Sequence, residues 1–121
     1  MRTVKIVNET RGSVLAEEAL HATGFWTRLR GLLGRPEPEP GRGLVLDPCK
    51  SVHMWGMRYS LDVLFSDPQD CVVAMEEGLA PWQVSSHVKT ARRAIELPTG
   101  TIQRTETKVG DQLLFESGSV Q

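Results

Sequence analysis

The sequence LDVLFSDPQDCVVAM, residues 61–75, contains two apolar stretches on either side of a polar segment. Apolar side chains alternate with a period of two in both stretches, which is typical of β-strands. Pro68 lies in the polar segment, and proline presets the backbone of a turn. These residues therefore predict a β-hairpin. Because the second face of each strand is also partly apolar, we expect a central hairpin that is covered on both sides.

Further short strands are predicted outward from this hairpin in both directions. A second hairpin is expected where residues 94–97 and 101–104 flank the turn residues Pro98, Thr99 and Gly100. The remaining strand predictions are residues 2–7, 12–16, 44–46, 51–55 and 112–115. Many short strands separated by turn residues favour an all-β arrangement.

One helix is predicted from Thr23 to Leu33. Apolar residues between 22 and 33 recur at three- and four-residue spacing, Thr23 is a favourable N-cap, and Gly34 and Pro36 end the pattern. Only this segment is helical in pattern, so no strand-helix-strand alternation is present. The expected fold is mostly β, α+β with one short helix, in a compact antiparallel and partly closed barrel-like sheet.

Length and charge limit the classes of function. A chain of 121 residues predicts one domain, placed at residues 1–116, followed by a flexible tail at 117–121. The formal net charge of −1 provides no general field for phosphate backbones, so nucleic acid is not an expected partner. No apolar run is long enough to span a membrane and no secretion signal begins the chain, so we expect a cytoplasmic protein whose two cysteines remain thiols.

Four motifs occur in an order that resembles a known family. They are RLRGLL at residues 28–33, SVHMWGMRYSLDVLF at 51–65, IELPTG at 95–100 and VGD at 109–111. Together they resemble the domain of unknown function 192 family, an uncharacterised family of bacterial and archaeal proteins. The resemblance covers residues 4–114.

The resemblance implies a small, mostly β fold and no established activity, so no catalytic residue is carried over. Ser60 departs from the family pattern, in which a proline usually precedes the Leu-Asp pair. Residues 69–71 also depart from it, because a glycine usually makes that turn. Both departures affect the expected loop geometry.

The run from His53 to Asp62 is the best candidate for a ligand site. His53, Trp55, Arg58 and Asp62 bring an imidazole, an indole, a cation and a carboxylate within ten residues, and Trp82 is a candidate neighbouring wall. Binding pockets combine apolar walls with a few polar groups in this way. The sequence therefore favours a non-enzymatic protein that binds a small molecule or a protein partner. A purely structural role for His53 and Asp62 is the alternative.

Catalytic and metal sites have weaker support in the sequence. A small hydrolase or lyase would use His53 with Asp62 or Glu96, which requires these groups to converge. Cys49 and His53 are too far apart along a strand to form a nucleophilic pair. The sequence contains no zinc-ligand spacing, so we expect no metal and no cofactor. Soft metal ligation by His53 with neighbouring methionines is a less favoured possibility.

Three arginines near the predicted helix form a second candidate feature. Arg28, Arg30 and Arg35 are spaced so that they could bind an anion. A solvated helix face is the favoured interpretation, because Glu37 and Glu39 follow closely and no aromatic residues are interleaved for base stacking.

Overall fold

The computed structural model describes residues 2–24 and 31–117. Within these ranges the chain forms seven β-strands and one short helix. They are β1 (Thr3–Asn8), β2 (Ser13–Ala22), β3 (Arg42–Leu46), β4 (Leu61–Ser66), β5 (Val72–Leu79), β6 (Arg93–Pro98), α1 (Thr101–Thr105) and β7 (Leu113–Ser117). Neither range contains a helix with the length and apolar character needed to cross a membrane.

The seven strands form one curled sheet in the order β5-β4-β6-β3-β2-β1-β7. The β2–β3 pair is parallel, and the other ladders are antiparallel. The two ends of the sheet meet at a bridge between Cys71 and Gln112. There Val72 N donates to Asp111 O at 2.9 Å and Leu113 N donates to Asp70 O at 2.8 Å. The expectation of a mostly β, partly closed barrel-like sheet is confirmed.

Both faces of the sheet are buried, which produces two apolar clusters. The barrel-side cluster receives residues from all seven strands, including Val45, Leu64 and Ile95. The loop-side cluster includes Val63 and Phe65 of the sheet and is covered by loop residues around 52–57. All six residues of β4 are buried, as predicted, whereas β5 lies at the end of the ladder and is only partly buried.

The prediction of a strand at residues 101–104 is wrong, because these residues begin α1. Gly100 has a φ of 92°, a left-handed conformation that reverses the chain after β6. Thr101 Oγ1 then donates to Pro98 O at 2.7 Å, and Ile102 N donates to Asp62 Oδ2 at 2.9 Å. These contacts favour a helical turn over the return strand of a hairpin.

The strand predicted at residues 51–55 is also absent from the described structure. This segment makes only an isolated bridge, between His53 and Val84, and then enters a turn that includes Gly56 with a φ of 78°. Its hydrogen-bonding partner is another loop, which offers no continuous ladder.

Strand β2 extends beyond its predicted end at Ala16, because it pairs with both β1 and β3 and buries Ala19 and Ala22. The helix predicted from Thr23 to Leu33 falls largely on residues 25–30, outside the described residues.

Candidate functional site

An exposed aromatic surface lies on the loops that cover the loop-side cluster. The antiparallel bridge between His53 and Val84 joins two of these loops, and Trp82 N donates to Met54 O at 2.8 Å. The His53 ring stacks on Trp55 with centroids 4.4 Å apart and an interplanar angle of 26°. Trp55 is 54% exposed and Trp82 is 68% exposed. We call His53, Trp55, Trp82 and Val84 the tryptophan surface.

A cavity of about 570 Å³ begins at the residue that follows Trp55. Its walls are residues 32–37 on one side and 56–59 on the other. Leu33 lies so close to Gly56 that a Cβ at residue 56 would stand 2.9 Å from Leu33 Cδ1. Leu32, Leu33 and Met57 provide apolar walls. A volume of roughly 300–1,000 Å³ is typical of sites for small molecules.

Tyr59 holds one wall of this cavity in place. Its hydroxyl lies 3.0 Å from Arg35 O, with Leu32 O at 3.4 Å and Pro36 O at 3.3 Å. Burial raises the pKa of Tyr59, and the nearby Glu96 carboxylate raises it further. The phenol therefore stays protonated and donates to the backbone of residues 32–36.

Two arginine residues line the cavity. Arg35 and Arg58 both belong to its walls, and Glu37 is the one carboxylate among the wall residues that the structure describes. Within the described ranges neither arginine makes an ion pair. Arg35 Nε is buried and has no hydrogen-bond partner there.

Glu96 is a buried carboxyl group beneath the same loop. It is 4% exposed, and its Oε1 has no hydrogen-bond partner among the described residues. A Cβ at Gly31 would lie 3.6 Å from that atom. Burial raises the pKa of Glu96 to about 7.

Asp62 lies apart from the tryptophan surface. Its side chain is fully buried, with Oδ1 accepting from Gly78 N and Oδ2 from Ile102 N, both at 2.9 Å. In the β4–β6 ladder Asp62 pairs with Leu97 and Val63 pairs with Glu96. Because neighbouring residues of a strand face opposite sides, Asp62 lies on the barrel side of the sheet and Glu96 on the loop side. The two carboxyl groups do not converge.

The five residues predicted to form a ligand site therefore lie in three different places. The structure brings His53, Trp55 and Trp82 together, and it places Arg58 in the adjoining cavity. Sequence reasoning missed the cavity walls at Leu33 and Tyr59. The signal available for Tyr59 was that it is the one tyrosine of the chain, next to Arg58.

The thiols and candidate metal ligands are dispersed. Cys49 Sγ donates to Ser51 O at 3.0 Å, and Cys71 Sγ lies 3.9 Å from Val72 O. Within residues 2–24 and 31–117, no group of three or more His, Cys, Asp or Glu side chains is arranged to hold a metal ion.

A polar cluster that the sequence did not indicate lies at one end of the sheet. Asp47 accepts hydrogen bonds from Arg92 Nε and Arg93 Nε, each at 2.9 Å, and Arg93 also pairs with Asp70. His21 Nε2 lies 3.5 Å from Asp47 Oδ2. This cluster connects β2, β3 and β6 to the turn before β5.

Ionisation in the polar cluster follows from its contacts. Burial alone would raise the pKa of Asp47, but the hydrogen bonds from Arg93 and Arg92 hold it below its ordinary value. Burial and the Arg2 charge lower the pKa of His21. The Asp47 carboxylate is thus held by the Arg92 and Arg93 cations, an arrangement typical of structural ion pairs.

Two archaeal proteins resemble this chain along most of its length. A UPF0127 protein of Thermococcus sibiricus is 30% identical over 116 residues, which cover 92% of this chain and 74% of that protein. UPF0127 protein PF1050 of Pyrococcus furiosus is 32% identical over 113 residues, which cover 89% and 95%.

A crystal structure of a protein of unknown function from Novosphingobium aromaticivorans has a similar fold. It superposes with a TM-score of 0.79 at 17% sequence identity, covering 93% of this chain and 83% of that one. The sequence pattern of DUF192, described as an Uncharacterized ACR, matches residues 6–115. With this match across nearly all the described strands, the chain belongs to the DUF192 family, whose function is unknown.

Proposed function

We propose that this protein is a non-enzymatic ligand-binding protein and that the cavity between residues 32–37 and 56–59 is its ligand site. The observation that carries the proposal is the cavity itself, which has apolar walls, a volume of about 570 Å³ and two arginines that make no ion pair with a described residue. The tryptophan surface extends the site, with His53, Trp55 and Trp82 contacting the part of the ligand that leaves the cavity. Arg58 contributes the cation of the predicted site.

The conformation of Trp82 supports this role for the tryptophan surface. Its φ of 72° lies in the left-handed region, which is uncommon for a bulky residue. Its indole is largely exposed and therefore gains little from burial in the fold. Such strain is concentrated at functional sites, and it supports a contact role for Trp82.

The alternative of a hydrolase or lyase has less support. It requires His53 to act with Asp62 or Glu96. Asp62 uses both of its oxygens for backbone N–H groups on the barrel side of the sheet, whereas His53 is exposed and stacks on Trp55. Glu96 lies on the loop side but is buried.

The proposed partner is a small molecule, in preference to nucleic acid, a membrane or a protein. The formal net charge of −1 gives no general attraction to phosphate backbones.

A cytoplasmic location is part of the proposal, because both cysteines are thiols and thiols persist in a reducing compartment.

A fragment screen followed by protein NMR tests this function. We expect compounds to bind saturably and to shift the backbone amide signals of residues 32–37 and 56–59. The variant Leu33→Trp, which places an indole in the cavity, should abolish those shifts.

The matched control is Leu114→Trp on β7. Leu33 is 40% exposed and Leu114 is 39% exposed, but only Leu33 lines the cavity. The control should bind fragments as the natural sequence does. Saturable shifts confined to other residues, or equal binding by Leu33→Trp, would exclude the cavity as the ligand site.

A further inference from the structure

The charges that line the cavity are unbalanced. Arg35 and Arg58 are cationic and Glu37 is anionic, so the described wall residues carry a net charge of +1, whereas the chain as a whole carries −1. Positive charge is thus concentrated at the cavity. Neither arginine uses Glu37 or another described carboxylate as a partner.

Of the two arginines, Arg35 gives more information about the ligand, because one of its nitrogen atoms is buried. Its Nε is buried, and it has no hydrogen-bond partner within the described ranges. A buried N–H of a charged group without an acceptor is unfavourable, and such groups in native proteins need an explanation. Because Nε itself is closed to solvent, a ligand in the cavity would reach this guanidinium through its other N–H groups and supply the missing counter-charge.

The backbone around Arg35 is fixed independently of any ligand. Tyr59 donates to Arg35 O, so the main chain at residue 35 is tied to the opposite wall of the cavity. Arg58, on that wall, is exposed. The two arginines therefore belong to opposite walls of one cavity.

We infer that the cavity binds a small organic oxyanion, a carboxylate or a phosphate monoester with an apolar body, whose charged oxygens are bound by Arg35 and Arg58. This inference rests on the proposed function and adds the chemical class of the ligand. Guanidinium groups bind carboxylate and phosphate oxygens through paired N–H donors. The apolar body lies against Leu32, Leu33 and Met57, and Glu37 disfavours a second anionic group on the same ligand.

Three probes of similar shape test the class of ligand. Benzoate and phenyl phosphate carry the two oxyanions, and benzamide is the neutral counterpart. Each is titrated into the full chain and followed by the amide signals of residues 32–37 and 56–59. We expect at least one anion to bind about tenfold more tightly than benzamide, and its affinity to fall as ionic strength rises.

Charge-removing variants identify the groups responsible. Arg58→Gln and Arg35→Gln should each weaken binding of the preferred anion by about tenfold and leave benzamide binding unchanged. Arg58→Lys should bind the anion with intermediate affinity, because it keeps the charge and loses the paired donors. Arg42→Gln, which removes an exposed cation outside the cavity, is the matched control and should bind the anion like the natural sequence.

The outcomes separate this inference from the proposed function. If benzamide binds in the cavity as tightly as both anions, or if both arginine variants retain full anion affinity, the oxyanion inference is wrong and ligand binding stands. If none of the probes and no other fragment shifts the cavity residues, both are wrong. A preference between benzoate and phenyl phosphate identifies which oxyanion the site takes. Melting temperatures show whether each variant is folded. Because Arg58 is exposed, Arg58→Gln should stay folded, and it tests the inference even if Arg35→Gln unfolds.

Discussion

The Asp62 carboxylate joins three elements of the fold, because it lies on β4 and accepts from Gly78 of β5 and Ile102 of α1. We predict that Asp62→Ala lowers the free energy of unfolding by roughly 3 kcal/mol, since it leaves a buried N–H at Ile102 without an acceptor. Chemical denaturation measures the change.

Glu77→Ala is the control for this prediction, because Glu77 is an exposed carboxylate on β5. It should change stability by less than about 0.5 kcal/mol. A loss for Asp62→Ala no larger than that of the control would contradict a structural role for Asp62.

Glu96 predicts a pH-dependent stability. Its pKa rises from 4.5 to about 7 in the folded protein, so the folded state holds the proton more tightly than the unfolded state. The tighter proton binding stabilises the folded state fully below pH 4.5, and this stabilisation is lost as the pH rises to about 7. Since each pKa unit corresponds to about 1.4 kcal/mol, the loss is roughly 3 kcal/mol.

The variant Glu96→Gln cannot titrate and should lack this loss. Unfolding experiments on both proteins at about pH 5 and about pH 8 should show the variant gaining stability relative to the natural sequence at the higher pH. Glu39→Gln, at an exposed loop position, should show no relative gain. If the free energy of unfolding changes with pH in the same way for all three proteins, Glu96 is not the group responsible for the loss.

Residue chemistry made part of the site predictable. His53, Trp55, Arg58 and Trp82 stand out in the sequence because of their side chains, and three of them share one surface. The burial of Asp62 was not predictable, because it depends on α1 lying beside β4. The raised pKa of Glu96 depends on the loop above it for the same reason.

At the scale of elements, Gly56 and Leu33 lie close together where the two cavity walls meet. A Cβ at residue 56 would lie 2.9 Å from Leu33 Cδ1, and the φ of Gly56 is 78°. We predict that Gly56→Ala loses about 1 kcal/mol from the left-handed backbone, shifts the amide signals of residues 32–37 and weakens ligand binding.

Gly12→Ala provides the matched control, because Gly12 has a φ of 68° and no neighbouring atom within 4 Å of the added Cβ. It should show a similar loss of stability with no effect on the cavity. Unchanged cavity signals in Gly56→Ala would mean that this contact does not define the walls.

Elements were predictable where the pattern was local. The hairpin of β4 and β5 has alternating strands and a proline turn, and it forms as expected. Residues 101–104 show the limit of this reasoning. They have the composition of a strand, but Gly100 reverses the chain, and Asp62, about 40 positions earlier, accepts a hydrogen bond from the new helix.

For the whole molecule, closure of the sheet makes a prediction about hydrogen exchange. The amides of Val72 and Leu113 donate across the junction between the two end strands. We expect both to exchange at rates close to those of β4 and β6 amides, because opening the junction exposes the barrel-side cluster. Fast exchange at both amides, with slow exchange in β4, would indicate an open sheet.

The order of strands was the least predictable feature. The sheet places β6 between β3 and β4 and joins β2 to β3 in parallel, so most ladders connect distant parts of the chain. Local patterns predict individual strands and the mostly β class, but strand order depends on how both faces are buried together. The cavity is a product of that same long-range packing, since its two walls, residues 32–37 and 56–59, are 19 or more positions apart in sequence.

A crystal structure of this protein grown with the tighter-binding of the two anions, benzoate or phenyl phosphate, tests the central claim most directly. The account predicts the phenyl ring against Leu33 and Met57 in the cavity, with the carboxylate or phosphate oxygens within hydrogen-bond distance of Arg35 and Arg58. A cavity that holds neither anion at saturating concentration, or an anionic group bound only by residues outside 32–37 and 56–59, would contradict it.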